Sequence, residues 1–326
     1  DSTVTTSRWY FYRVSVLGKS VESEPSNVEK VLLGPGEVWI LTRYGYSIHH
    51  YSYDLQSRLG IYNTDFPPID WDWDLENNRI WLATAQFGYV TRLDVNSGSE
   101  DFFIRDSLRY PIDVQWVPHS NALFILDVEQ RKIFRLVNQE LSTAVRLPSD
   151  EYRQFCLDNQ GHLWVLGQRD ALRFNLFGEQ QDRIIFNSGF TGRDILCDDS
   201  FFYLLAANDS TSASWLFKVS AETGEAEQFQ IPGTLVKIRK TGADDYFWAV
   251  ESLGENIHRL VKLSAAGQRL LELKSVSFLD DVQINPYDKS IITVSRLEDF
   301  ISLLDSTGTV ISSQNRIYDP IKVKIR

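Results

Sequence analysis

A chain of 326 residues that is 43% hydrophobic, 13% aromatic and 24% charged has a globular balance and enough length to bury a substantial core. Its net charge of −11 argues against non-specific binding to nucleic acid or anionic lipid, since both carry the same sign. No stretch approaches the roughly 20 apolar residues of a membrane helix, and Met is absent even at position 1, which is read as an N-terminus made by processing or by design.

In chain order, the run from Trp9 to Val16 alternates like a half-buried strand. A turn at Leu17-Gly18-Lys19 follows, then Ser23-Glu24-Pro25-Ser26-Asn27-Val28. Beyond it, short apolar strands recur every ~40–45 residues, beginning at Val38, Ile80, Leu123, Leu163, Phe202, Phe247 and Ile291. Each is preceded by a polar turn and another short strand, and followed by two more, with hairpin tips at 94–98 and 220–224. Four strands per such unit is the grammar of a propeller blade. No long stretch has helical apolar spacing, and a sandwich would not need one unit to recur seven times in register. The fold expected is all-β: a seven-bladed β-propeller at 34–326 and an N-terminal β-hairpin at 1–33.

Aligning the units on Trp39, Trp81, Trp164 and Trp248 places Asp70, Asp113, Arg153, Asp194, Lys237, Asp281 and Lys322 in one column of the innermost strands, with a gap in the unit of Asp194. The last unit lacks later strands and the first lacks a certain inner one. Residues 321–325 are therefore expected to fill the inner place of the blade begun at Trp39, and Asp319-Pro320-Ile321-Lys322 repeats Tyr110-Pro111-Ile112-Asp113. Closing the ring removes exposed sheet edges. The competing reading puts 28–33 in that place.

Two resemblances follow from these motifs. The Tyr10-Phe11-Tyr12-Arg13-Val14 strand, the Gly18 turn and the Ser-x-Pro-Ser-Asn segment resemble the last two strands of a fibronectin type III domain, over about residues 1–33. A lone hairpin is marginal in water, so it is expected to stack on the propeller or a partner. Asn78-Arg79-Ile80-Trp81-Leu82-Ala83, Gly88-Tyr89-Val90-Thr91-Arg92-Leu93-Asp94 and Gly98 are similar to the repeat of the NHL, YncE and streptogramin-lyase-like propellers. The fibronectin-like resemblance implies an extracytoplasmic location (periplasmic, cell-surface or secreted). Neither resemblance fixes an activity.

The charged column offers a polar ligand site at one mouth of the central channel; its alternating signs equally suit a self-compensating ring of salt bridges. Interleaved cations count against Ca²⁺. In Asp70-Trp71-Asp72-Trp73-Asp74, carboxylates and indoles fall on opposite faces, so the tryptophans read as core and Asp74 as the cap of the next turn. His49 and His50 face apart and cannot readily share a metal. Cys156 and Cys197 hold equivalent places in adjacent units, so one is expected to face its neighbour while the other faces away, giving two free thiols. Tyr44, Tyr46, Tyr51 and Tyr53, with Tyr62, crowd the first blade, either as an interaction surface or under the hairpin.

The chain lacks Gly-x-Ser-x-Gly, His-Glu-x-x-His and a phosphate-cradling Gly-rich loop. The reading is a non-catalytic binding scaffold for a protein partner, glycan or small ligand, with no cofactor or metal expected. The alternatives are a streptogramin-lyase-like lyase or hydrolase using channel-mouth carboxylates, and a structural subunit of a cell-surface assembly.

Overall fold

The computed structural model describes residues 8–12, 14–16, 18, 23–24, 26, 29–33 and 36–325, apart from 159–160, 176, 199, 241–245, 274–275 and 287. Seven antiparallel sheets stand in it as blades, each running from an innermost to an outermost strand. Blade 1 joins the C-terminal strand Pro320–Ile325 to Val38–Thr42, Ser47–Tyr51 and Arg58–Asn63. Blades 2 to 7 are continuous in sequence, at 70–104, 111–146, 154–185, 191–232, 234–272 and 281–315. The ring is thus closed by the last strand, as expected.

Burial explains the sequence pattern within a blade. The second strands are covered on both faces by neighbouring sheets, so they read as unbroken apolar runs: all of Val38–Thr42 and all of Ala122–Asp127 are buried. Outermost strands such as Gln180–Ile185 are mostly exposed and polar. Trp39, Trp164 and Trp248 are fully buried between blades, each such large side chain contributing about 1.5–3 kcal/mol.

Outside the ring, Arg8–Tyr12 pairs antiparallel with Glu29–Leu33. This excludes the reading in which the latter strand closes the propeller. The ladder continues with Ser23 N–H donating to Val16 O at 2.9 Å and Ser26 N–H to Val14 O at 2.8 Å. Val14 and Val16 are each 70% exposed. The expected turn residues Leu17 and Lys19, with Pro25, Asn27, Val28 and the terminal Arg326, lie outside the described residues.

Strand register replaces one member of the charged column. Its places are held by Asp70 (paired with Ala83), Asp113 (Leu126), Gln154 (Leu166), Asp194 (Leu205), Lys237 (Val250), Asp281 (Val294) and Lys322 (Leu41). Gln154, not Arg153, occupies the blade 4 position. Gln154 and its partner Leu166 are one residue closer in sequence than Asp70 and Ala83 or Asp113 and Leu126, and an alignment without a gap in that blade missed it.

The same kind of offset overturns the expectation of free thiols: Cys156 and Cys197 form a disulfide with their Cα atoms 6.1 Å apart. Cys156 pairs with Trp164, whereas Cys197 pairs with Phe202, one place before the equivalent Tyr203. The two cysteines are therefore one register step apart, and one step turns a side chain to the other face of a strand. Cys156 and Cys197 meet in the core between blades 4 and 5. Close approach there also requires Gly192, since a Cβ at that position would lie 2.2 Å from Gly167 O.

Candidate functional site

The innermost strands surround an axial cavity of about 490 Å³. All seven predicted residues line it, Arg153 among them, although Gln154 holds the ring position in blade 4. Arg153 turns to main-chain carbonyls, donating to Asp150 O and, at 3.3 Å, to Tyr152 O. A second row, two residues along each strand, escaped the sequence reading: Asp72, Gln115, Arg239, Gln283 and Lys324 also line the cavity. Period-two spacing from the first row was the signal that could have found them. Together the lining has five carboxyl groups (Asp70, Asp72, Asp113, Asp194, Asp281) and five cations (Arg153, Lys237, Arg239, Lys322, Lys324).

These groups clamp the ring together, junction by junction. Lys322 and Lys324 of blade 1 pair with Asp70 and Asp72 of blade 2. The same two aspartates accept from blade 3, Val114 N–H donating to Asp70 Oδ2 at 2.8 Å and Trp116 N–H to Asp72 Oδ2 at 2.7 Å. Phe155 N–H donates to Asp113 Oδ2 and Leu157 N–H to Gln115 Oε1, both at 2.9 Å, tying blade 3 to blade 4. The disulfide ties blade 4 to blade 5. Asp194 Oδ2 accepts from Ile238 N–H at 2.9 Å and from Arg239 at 2.8 Å. Lys237 and Arg239 reach Asp281 of blade 7 at 3.2 and 2.7 Å, and Asp281 Oδ2 accepts Val323 N–H of blade 1 at 3.2 Å. The inner edge of a blade presents N–H groups that no further strand can satisfy. Carboxylates of the preceding blade do that work for blades 3, 4, 6 and 1.

Electrostatics follow from the pairing. Burial raises the Asp70 carboxyl, but Lys322, with help from Asp113 and Lys324, outweighs it and holds Asp70 below the usual range. Asp281 is likewise held low, against burial, by Lys237, Arg239 and Lys322. Asp113 goes the other way: burial, then the adjacent Asp70 charge, pushes it well above the ordinary value. Two neighbouring buried carboxyls cannot both ionise cheaply, so Asp113 is the one that holds its proton to the higher pH.

Other candidates separate by burial. Trp71 and Trp73 fill the core between blades 1 and 2, and Asp74 Oδ1 accepts Asn77 N–H at 3.3 Å as the turn cap. Tyr44 and Tyr46 are exposed, at 46% and 42%. The expected surface role fails for Tyr51, which is buried with Val38 and Ile40. Tyr53 is half-buried and its hydroxyl is taken by Asp288 and Ser290, while Tyr62 stacks on Trp39 at 5.3 Å. In an alternating strand these side chains face inward, so a count of tyrosines could not separate core from surface. Burial and then Arg58 lower His49 to about 4, and among the described residues no cluster of three or more His, Cys, Asp or Glu could hold a metal. No helix among them is long and apolar enough to cross a membrane.

One face of the ring carries the loops joining second to third strands and one blade to the next. Tyr44, Tyr46, Phe87, Tyr110, Leu253, Leu297 and Tyr318 are all exposed on or beside these loops. A cleft of about 550 Å³ opens on the same face at blades 5 to 7, lined by Arg193, Lys237, His258 and Asp280 among others. His258 is buried, and its Nδ1 accepts Leu279 N–H at 3.0 Å. Asp280 is raised to about 6 by burial, offset in part by the main chain and guanidinium of Arg296.

No protein-family model matches the chain, and no curated protein matches it. Solved structures do share the fold. A protein from Lactobacillus plantarum is 12% identical with a TM-score of 0.70, over 89% of this chain and 99% of that one. Kuenenia stuttgartiensis hydrazine synthase is 10% identical with a TM-score of 0.69, over 84% and 93%. A Bacteroides fragilis protein provisionally named 6-phosphogluconolactonase is 11% identical with a TM-score of 0.68, over 89% and 98%. At such identities the likeness establishes the architecture these chains have in common, an all-β seven-bladed propeller.

Proposed function

We propose that this protein is a non-catalytic, extracytoplasmic propeller that binds a partner or ligand through its loop face. The observation that carries this reading is the commitment of the axial carboxylates: Asp70, Asp113, Asp194 and Asp281 each already accept from the backbone of the next blade. A carboxylate spent on holding two sheets together is poorly placed to bind a ligand or shuttle a proton. Tyr44, Tyr46, Tyr110 and Tyr318 are exposed on the loop face, and tyrosine there supplies contact area at low entropic cost. Location outside the cytoplasm is supported by the Cys156–Cys197 bridge, since such bonds persist mainly in oxidising compartments. Residues 1–33 fit this setting as part of a fibronectin-like module.

A second reading, a lyase or hydrolase acting in the channel, draws on Asp113 and Asp70. A protonated carboxyl beside an ionised one is the arrangement acid–base catalysis uses. Turnover of sugar lactones and simple esters by wild type and Asp113→Asn separates the two. The scaffold reading expects no activity that depends on Asp113. An activity abolished by the substitution at an unchanged unfolding midpoint overturns it.

A further inference from the structure

Blades 5 and 6 depart from the pattern of the other five. Their second and third strands, Phe201–Asn208, Ala213–Ser220, Tyr246–Gly254 and Ile257–Ser264, have eight or nine residues. Equivalent strands elsewhere have four to six, for example Leu163–Leu166 and Arg79–Thr84. Measured from the tryptophan column, the extra residues all lie toward the loop face. The long hairpins therefore stand above the ring as walls. Blade 6 also gains a short strand, Val276–Ser277, paired with Ile257 and His258. It carries the chain across the face and lays Phe278 on His258, ring centroids 4.5 Å apart. The cleft of about 550 Å³ lies between these features, within the ~300–1,000 Å³ typical of small-ligand sites.

The lining mixes both signs and both hydrogen-bonding senses. Arg193, Lys237 and Asn256 donate, Glu255 and Asp280 accept, and the Nδ1 bond to Leu279 leaves Nε2–H as the ring donor of His258. Arg193 binds Asp209 through Nη2 at 2.6 Å, while its Nε is buried without a partner. A small anion in the cleft would meet Asp209, Glu255 and Asp280. A lone cation would meet Arg193 and Lys237. An apolar ligand would cover Arg193, Glu255 and Asn256 without giving them partners, which is costly. A ligand whose every polar group both donates and accepts suits all of them, and Phe278 offers an apolar surface beside the polar groups.

We propose that the blade 5–7 cleft is a saccharide site, sized for one or two sugar rings and read by Arg193, Glu255, Asn256 and His258. This rests on the binding-scaffold reading and names its ligand class.

The test is saturation-transfer NMR on the full chain with glucose, galactose, mannose, N-acetylglucosamine and their β-linked disaccharides, with acetate and sulfate as comparators. At least one sugar is expected to bind, and Arg193→Gln and Glu255→Gln each to weaken it tenfold or more, while Phe177→Ala, in an exposed turn on the opposite face, leaves it unchanged. Absence of sugar binding, binding that survives both cleft substitutions, or displacement of the sugar by sulfate or acetate overturns the proposal. Failure of all sugars with Asp113→Asn behaving as the scaffold reading expects sinks the cleft alone. An activity that requires Asp113 sinks the scaffold reading whatever the sugars do.

Discussion

The axis and the rim of blades 5 to 7 use their polar groups for different ends. Around the axis, five carboxyl groups face five cations, and backbone donors take up the remaining carboxylate oxygens at most junctions. In the rim cleft, Arg193, Glu255 and Asn256 line walls that rise beyond what closure of the ring requires. A group matched inside the chain holds the fold together. Polar groups gathered in a cleft built by extra residues are a place to look for a ligand.

Neighbouring aspartates make the sharpest version of that contrast. Asp281 is buried and holds Lys237, Arg239 and the Val323 N–H. Removing it leaves Lys237 without its carboxylate and Arg239 with Asp194 alone, so Asp281→Ala is expected to cost about 3–5 kcal/mol in urea unfolding. Among the described residues Asp280 accepts from Arg296, whose side chain is 40% exposed, so Asp280→Ala leaves no buried cation stranded and should cost less than Asp281→Ala. Equal losses would erase the distinction between axis and rim.

The blade 4–5 junction tests whether a covalent clamp does what carboxylates do elsewhere. The bridge closes a separation of 41 residues, and loss of such a link typically costs about 2–4 kcal/mol. Cys156→Ala/Cys197→Ala and the reduced wild type should lose that much stability alike. Protein drawn from its own cells without reductant should contain no alkylatable thiol; a reduced pair there would remove the support for an extracytoplasmic location.

Smaller effects come from pH. Asp70 and Asp281 have folded values held below normal, so their stabilisation is present above the unfolded value of about 3.9 and is lost as pH falls through the folded values. Asp113 has the opposite sign: its contribution is full below about 3.9 and is lost as pH rises through its raised value. Thermal unfolding should therefore weaken in acid for wild type, and less so for Asp281→Asn. Asp113→Asn, which mimics the protonated acid, should hold or slightly gain stability at pH 7. A marked loss there would mean that Asp113 is ionised in the folded protein.

Repetition made the architecture legible. Trp39, Trp81, Trp164 and Trp248 mark equivalent places, and the Pro-Ile-Lys segment at 320–322 copies Pro111-Ile112-Asp113 closely enough to identify the closing strand. The axial site was legible only to within a residue. Arg153 stood where Gln154 belongs, because a one-residue change in the spacing of paired strands shifts register without altering composition, and the second row of Asp72, Gln115, Arg239, Gln283 and Lys324 was not read as part of the site.

By itself, then, the sequence determined seven repeating sheets, their order and the segment that latches them, because apolar strands covered on both faces must recur once per blade. Tertiary structure decided which side chains meet: the Cys156–Cys197 bond, the clamp at each junction, and the cleft walls of blades 5 and 6. A strand's facing reverses with each residue, so contacts between blades depend on turn lengths that the hydrophobic pattern leaves free.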